Sequence, residues 1–405
     1  MPSRTGRIAV VVSCVAVTAL AGAGTGTPAA AAECEPAPRL QIERAMPYAQ
    51  QRYDPRRLAA LADGAGVRVA VVDSGVDATH PQLDGRVDAG RDFLHGHRDG
   101  RQDCVGHGTG VASIIAAAAR PGVAFHGLAP GARIVPVRVT EQQERDGQVV
   151  GDDVDAADLA RAIRWAAGPG AAQVINLSVV MTEPDDAVRD AIRDVLDAGV
   201  VVVAAVGNRG QEQDGNRTPY PAAYRGVIGV GAIGVDGVRE LHSQRGRYVD
   251  VMAPGNGVTM AGRRRGHVQG TGTSYAAPFV AATAALIRQR FPELTPQQVA
   301  RRIIATADPA PGGRRSNSYG YGVLNPYRAL TETLGSDRAA LPAPVPPRAE
   351  DPAAAARQRR QEESRRLALT IGAAGTALAV LLGMVTTVVR RGRRRGWRPA
   401  TPGSA

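Results

Sequence analysis

The chain has no lysine, so all 49 of its basic residues are arginine. It has few aromatics (4% of 405 residues), only three cysteines and no internal repeat. A core without large rings must be built from small and aliphatic side chains. The sequence supplies these: it is 44% hydrophobic, with 48 Gly and 28 Pro for tight loops. That excludes a disordered chain and points to a compact α/β protein. The middle of the chain also lacks a net charge. Of the formal +11, residues 357–398 hold 11 Arg against 2 Glu, and Arg4 and Arg7 supply the rest. A nucleic-acid binder carries its charge on the folded domain. Here the charge lies at the two ends, where membrane topology uses it. Nucleic acid is therefore excluded as a partner.

The ends read as targeting segments. Arg4 and Arg7 precede an apolar stretch at 8–24 and a small-residue zone, Thr27-Pro28-Ala29-Ala30-Ala31-Ala32. This predicts a signal peptide over 1–32. A second apolar stretch, 367–389, runs 23 residues without a charge. As a helix it would span roughly 34 Å, against a hydrocarbon core of about 30 Å. It predicts one C-terminal transmembrane helix, with 390–405 as a cytoplasmic tail and the bulk of the chain outside the cell membrane. Cys14 leaves with the leader and has no Leu-x-x-Cys lipoprotein box around it. Cys34 and Cys104 remain, an even number in an oxidising compartment. The expectation is a Cys34–Cys104 disulfide that pins residues 33–66 beside the segment carrying His107.

Residues 33–66 form an Arg/Pro/Ala-rich N-terminal extension. It falls short of the ~50 residues that an independently folding prodomain needs, so it is expected to wrap the domain rather than gate it. The globular domain is placed at 67–335. A Pro/Ala/Arg-rich linker follows at 336–366, with Pro342, Pro344, Pro346, Pro347 and Pro352 making a semi-rigid spacer. Within the domain, apolar runs at 67–72, 133–139, 172–177, 200–205 and 227–230 alternate with helical patterns at 107–119, 153–167, 185–197, 274–291 and 295–307. Alternation of this kind predicts a mostly parallel sheet with helices on both faces. Ligand sites then lie at the carboxyl ends of the strands.

Four motifs carry chemistry. Val72-Asp73-Ser74-Gly75 ends a buried strand in a carboxylate. Such an acid suits holding a histidine in one tautomer, although standing alone it is as readily a metal ligand or a turn cap. Gly106-His107-Gly108-Thr109 places an imidazole, the natural base at neutral pH, between glycines that admit close approach. A lone Gly-His-Gly is otherwise a turn. Gly270-Thr271-Gly272-Thr273-Ser274-Tyr275 delivers Ser274 to a helix start, where a developing anion is favoured. A helix cap is the plain alternative. The spacing does not match the Gly-x-Ser-x-Gly elbow. Gly207-Asn208, after a strand, offers a side-chain amide to an oxyanion. No metal or cofactor set is read from the sequence; the acidic pairs Asp152-Asp153 and Asp185-Asp186 look like helix starts.

Together, in the order Asp, His, Asn, Ser, these motifs resemble the subtilisin-like serine proteases. The resemblance spans roughly 67–330. It implies a three-layer α/β/α fold and hydrolysis of peptide or protein substrates. It implies Ser274 as nucleophile, His107 as general base and then acid, and Asp73 as the orienting acid. Asn208 and the Ser274 N–H would form the oxyanion hole. The run Asn176-Leu177-Ser178-Val179-Val180 resembles the substrate-pairing edge. Val180 stands where many members have Gly, which implies a shallower primary specificity pocket. Within the family the chain resembles the mycosins, the membrane-anchored proteases of type VII secretion systems. The resemblance rests on the leader and C-terminal helix, the Pro/Ala linker, Asp103-Cys104 before Gly106-His107, and Arg288-Gln289-Arg290-Phe291-Pro292. A type VII membrane complex is the implied partner. A second cysteine pair typical of mycosins is missing, and the loop after Asn208 is short.

Overall fold

The computed structural model describes Cys34 and residues 36–96, 99–145, 148–211 and 216–334, with short pieces between 385 and 396. The chain divides into two units, Met1–Pro38 and Arg39–Ala405. The described residues of the first unit carry no helix or strand. The expected leader, the whole of the linker at 336–366 and most of 367–389 lie outside the described residues. Among the described residues no helix is long and apolar enough to cross a membrane.

The second unit begins with two short helices, α1 (Tyr48–Tyr53) and α2 (Pro55–Ala59). Then come β1 (Arg68–Asp73), β2 (Arg91–Asp92), α3 (His107–Ala116), β3 (Arg133–Arg138), and a small hairpin of β4 (Gln143–Arg145) and β5 (Gln148–Val150). The sequence continues with α4 (Ala156–Ala167), β6 (Val174–Leu177), α5 (Asp186–Asp197), β7 (Val201–Ala205), β8 (Ile228–Ile233) and β9 (Val251–Pro254). A second hairpin, β10 (Val258–Ala261) with β11 (His267–Gly270), leads into α6 (Thr273–Arg290), α7 (Pro296–Ala305) and α8 (Pro326–Thr331).

Seven strands form one sheet in the order β2-β3-β1-β6-β7-β8-β9, parallel at every pairing. Strands buried on both faces must be apolar throughout, and these are runs of Val, Ile and Ala. The period of two sorts β1 between layers. Val69 and Val71 join a core with α3, α6 and α7, while Ala70 and Val72 join a core with α4 and α5. The result is the three-layer α/β/α architecture. The chain leaves β1 toward β2 and β3 on one side, then crosses to β6 and beyond on the other. That reversal opens a crevice at the carboxyl end of β1, where Asp73 is the last residue.

Helix boundaries follow local chemistry. Helix α4 starts at Ala156, not at 153, because the Asp155 side chain accepts the Asp158 N–H and caps it. Helix α7 starts on a Thr295 capping box with Gln298, followed by Pro296. Helix α3 stops at Ala116 rather than 119, since Ala117 turns extended and its carbonyl accepts the Gly127 N–H. Helix α6 is buried along nearly its whole length, and its many alanines let it run close beneath the sheet. Residues 40–64 pack onto the α6 side. Tyr53 meets Phe279 edge-on at 5.6 Å, Leu58 is fully buried, and Gln289 accepts the N–H groups of Asp63 and Gly64. Burial of Leu58 alone stabilises this attachment by about 2 kcal/mol.

Candidate active site

Asp73, His107 and Ser274 come from three separate elements: the end of β1, the start of α3 and the first turn of α6. Their side chains meet in one line. His107 Nδ1 lies 2.8 Å from Asp73 Oδ1 and 3.0 Å from Oδ2, and His107 Nε2 lies 2.9 Å from Ser274 Oγ. Asp73 is 1% exposed, and its Oδ1 also accepts the Ser74 N–H at 2.7 Å. An acceptor-only carboxylate at Nδ1 makes that nitrogen the donor. Nε2 is then the basic nitrogen facing the hydroxyl. Burial alone would pull the imidazole down. The Asp73 charge and hydrogen bond outweigh it, with Asp103 adding, so the His107 pKa stands above its ordinary value.

The glycines around His107 are steric necessities. A side chain at Gly108 would run into the Gly75 carbonyl and stand 3.1 Å from Asp73 Cβ. Gly106 takes φ +94°, a left-handed conformation that costs glycine least. Tyr275 tilts its ring over His107 at 5.0 Å between centroids. Its phenol is pushed well above the usual range, first by burial and then by Asp73 and Asp103. Its hydroxyl therefore keeps its proton at neutral pH.

Asn208 follows β7. Its Oδ1 accepts both the Thr273 N–H at 2.8 Å and the Thr273 hydroxyl at 2.9 Å. Thr273 thereby fixes the amide with its Nδ2 side on the Ser274 side: a Cβ at Gly272 would meet Asn208 Nδ2 at 3.1 Å and Ser274 Oγ at 3.3 Å. Pro278 sits one turn into α6 and lacks the N–H that would have bonded the Ser274 carbonyl. Ser178 Oγ stands 3.5 Å from that carbonyl and accepts from Asn176 Nδ2 at 3.0 Å. Ser178, Val179 and Val180 leave the end of β6 and line a cavity of about 260 Å³. Asp73, His107, Val139 and Leu159 also line it, together with the polar Thr140, Gln142, Asp153 and Asp155. The substrate-edge residues read from the sequence thus share one cleft with Asp73 and His107.

Sequence reasoning missed the support beneath the site. Asp103, 3% exposed, accepts five hydrogen bonds: from the Ser74 hydroxyl, the Val105, Gly106 and Thr109 N–H groups, and the Thr109 hydroxyl. Ser74 Oγ accepts the Gly108 N–H in turn. This network ties the strand end holding Asp73 to the turn holding His107. Burial raises the Asp103 pKa against the lowering effect of those donors. The only signal was position, an acid four residues before the histidine. Both Cys34 and Cys104 are disulfide-bonded.

The comparisons agree with this geometry. Residues 64–322 match the model described as the Subtilase family. Mycosin-1 of Mycobacterium tuberculosis is 36% identical over 340 residues, covering 72% of this chain and 75% of that protein. A thermophilic serine proteinase from a Bacillus species is 37% identical over 269 residues, 66% of this chain and 62% of the other. Among solved structures, the serine protease MycP1, described as an essential component of the type VII (ESX-1) secretion system, superposes with a TM-score of 0.64. That match has 34% identity and covers 74% of this chain and 93% of MycP1. A chain that keeps more than a third of a mycosin's residues over most of both sequences, on this fold, belongs to the subtilase family and is a mycosin-like serine endopeptidase.

Proposed function

We propose that this protein cleaves secreted proteins at the outer face of the cell membrane, within a type VII secretion system, with Asp73, His107 and Ser274 as its catalytic triad. The observation that carries the reading is the unbroken hydrogen-bonded line from carboxylate to imidazole to hydroxyl. Ser274 Oγ attacks the scissile carbonyl carbon while His107 Nε2 takes the hydroxyl proton. Asp73 steadies the resulting imidazolium. The tetrahedral oxyanion is held by Asn208 Nδ2 and the Ser274 N–H at the positive end of α6. Collapse breaks the C–N bond, and the amine leaves with the proton from His107. Water, deprotonated by His107, then hydrolyses the acyl-enzyme and restores the Ser274 hydroxyl.

Ser178, Val179 and Val180 would pair with the substrate backbone on the acyl side. The Val180 side chain lies against Gly207, 3.5 Å from where a Cβ would be, which supports a shallow primary pocket suited to small side chains. The signal peptide at 1–32, the helix at 367–389 and the cytoplasmic tail at 390–405 would make a single-pass protein with the catalytic domain outside. Cys34 and Cys104, bonded to each other, would hold the extension in place, and the extension would stay on the active enzyme.

A second reading makes the domain mainly a structural subunit. It is favoured by the description of the related MycP1 as an essential component of its secretion system. Proteomics of secreted proteins from wild type, Ser274→Ala and a deletion strain separates the two. Full-length substrates that accumulate outside Ser274→Ala cells support proteolysis as the function. Identical secreted peptides in wild type and Ser274→Ala, with secretion lost only on deletion, would overturn it in favour of the structural role.

A further inference from the structure

The hairpin of β10 and β11 carries three consecutive arginines at its tip, Arg263-Arg264-Arg265. Their position relative to the reacting atoms is fixed by several contacts. Met260 of β10 packs against Gly110 of α3, and the Ala261 N–H is held by the Ser113 hydroxyl at 2.9 Å. The aliphatic stem of Arg263 lies over Gly106, the residue before His107, with Cγ 3.2 Å from where a side chain there would begin. Arg264 takes φ +65°, a conformation costly for a residue with a Cβ. Its N–H is caught at 2.6 Å by Asp77 Oδ2, and Asp77 is itself buried and locked by Thr79 and Thr109. From beneath, Leu40 of the extension fills the space over Gly262 and Gly266. The tip is therefore a built feature, not a loose loop, and Arg264 and Arg265 stand exposed on it.

The chemistry assigns a side of the scissile bond to this tip. The acyl side of the substrate lies along Ser178–Val180 and the cavity they line. The amine must take its proton from His107 Nε2, so the leaving half of the peptide passes the His107 side of the cleft. Gly106, the residue before His107, borders that path, and the stem of Arg263 lies over Gly106. Arg264 and Arg265 are the two side chains of the tip that stand exposed to solvent there.

We propose that Arg264 and Arg265 select acidic residues on the leaving-group side of the scissile bond, so that this peptidase prefers proteins with Asp or Glu within a few residues after the cut. This deepens the proteolytic reading and rests on it. The arginines act by charge on the bound chain and take no part in the bond-breaking step.

The test is cleavage of a mixed peptide library by the purified extracytoplasmic chain, with the new N-termini identified by mass spectrometry and Ser274→Ala as the blank. Wild type should enrich Asp and Glu at the second to fourth positions after the cut. Matched peptides with acidic and neutral residues there should differ by about three- to tenfold in kcat/KM, the range for two exposed charge pairs. The difference should shrink in 0.5 M salt. Arg264→Glu/Arg265→Glu should invert the preference while cleaving the neutral peptide at the wild-type rate. The milder Arg264→Gln/Arg265→Gln, with an unchanged Tm, should erase the preference. Cleavage without an acidic preference, or a preference that survives both variants, would overturn this proposal and leave the protease reading standing. No cleavage beyond the Ser274→Ala blank would overturn both.

Discussion

His107 and His267 are both part-buried imidazoles held at both ring nitrogens, yet physical chemistry drives them in opposite directions. His107 faces a carboxylate, and the pKa lost to burial is more than recovered from Asp73. His267 has no anion bonded to its ring. Its Nδ1 accepts the Glu43 N–H at 2.9 Å, and its Nε2 donates to Gln82 Oε1 at 2.7 Å. Phe125 stands edge-on at 5.2 Å and His80 at 6.2 Å. Burial first, then His80, lowers its pKa to about 4, against a small opposing effect from Glu43. One histidine is poised to take a proton. The other is locked neutral and fastens residues 41–43 of the extension to the hairpin, where its own N–H also donates to the Gln41 carbonyl. A carboxylate partner, more than burial, separates a base from a structural pin.

The sharpest break of this comparison is substitution of each ring. His107→Ala should lower kcat by about 10⁶, the scale found for the equivalent loss in subtilisin. His267→Ala should leave kcat within tenfold and lower the Tm instead. Steady-state kinetics beside calorimetry checks both, and a reversed pattern would dissolve the distinction. Next in size, Asn208→Ala should cost on the order of 10²–10³ in kcat with little change in KM, since the amide acts on the oxyanion and not on the ground state. An effect under tenfold would remove Asn208 from the oxyanion hole. The smallest effect is in the pH dependence of stability. A base whose folded pKa lies below its unfolded value of about 6.5 contributes stability that is complete above that pH and lost as pH falls through about 4. The wild-type Tm should therefore drop more steeply than that of His267→Gln between pH 6.5 and 4. Parallel curves would mean that His267 is not pinned neutral.

The same contrast explains what was legible in the sequence. Asp73, His107, Asn208 and Ser274 announce themselves because each sits at a strand end or helix start, where glycines are required by close packing. Strand β1 and helix α7 are legible for local reasons, a buried Val run and a Thr-Pro cap. Strand β9 went unread because it is four residues long and ends in Pro254, which a strand at the sheet's edge tolerates. The hairpin of β10 and β11 was hidden by its Gly-Arg-Arg-Arg-Gly tip, a charged run with no strand periodicity. Helices α1 and α2 are too short to show a period. The Asp103 network left no more than that positional signal. Its donors lie up to 29 residues away in sequence, and only the fold brings them together.

On the proposed mechanism His107, steadied by Asp73, takes the proton of a single activated hydroxyl, that of Ser274. A fluorophosphonate probe tests it directly, because it labels only a serine whose proton has a base to go to. The account predicts one covalent adduct, located by mass spectrometry on Ser274, absent in His107→Ala and slowed in Asp73→Asn. An unlabelled wild-type protein, or equal labelling of Ser274 after His107→Ala, would contradict it.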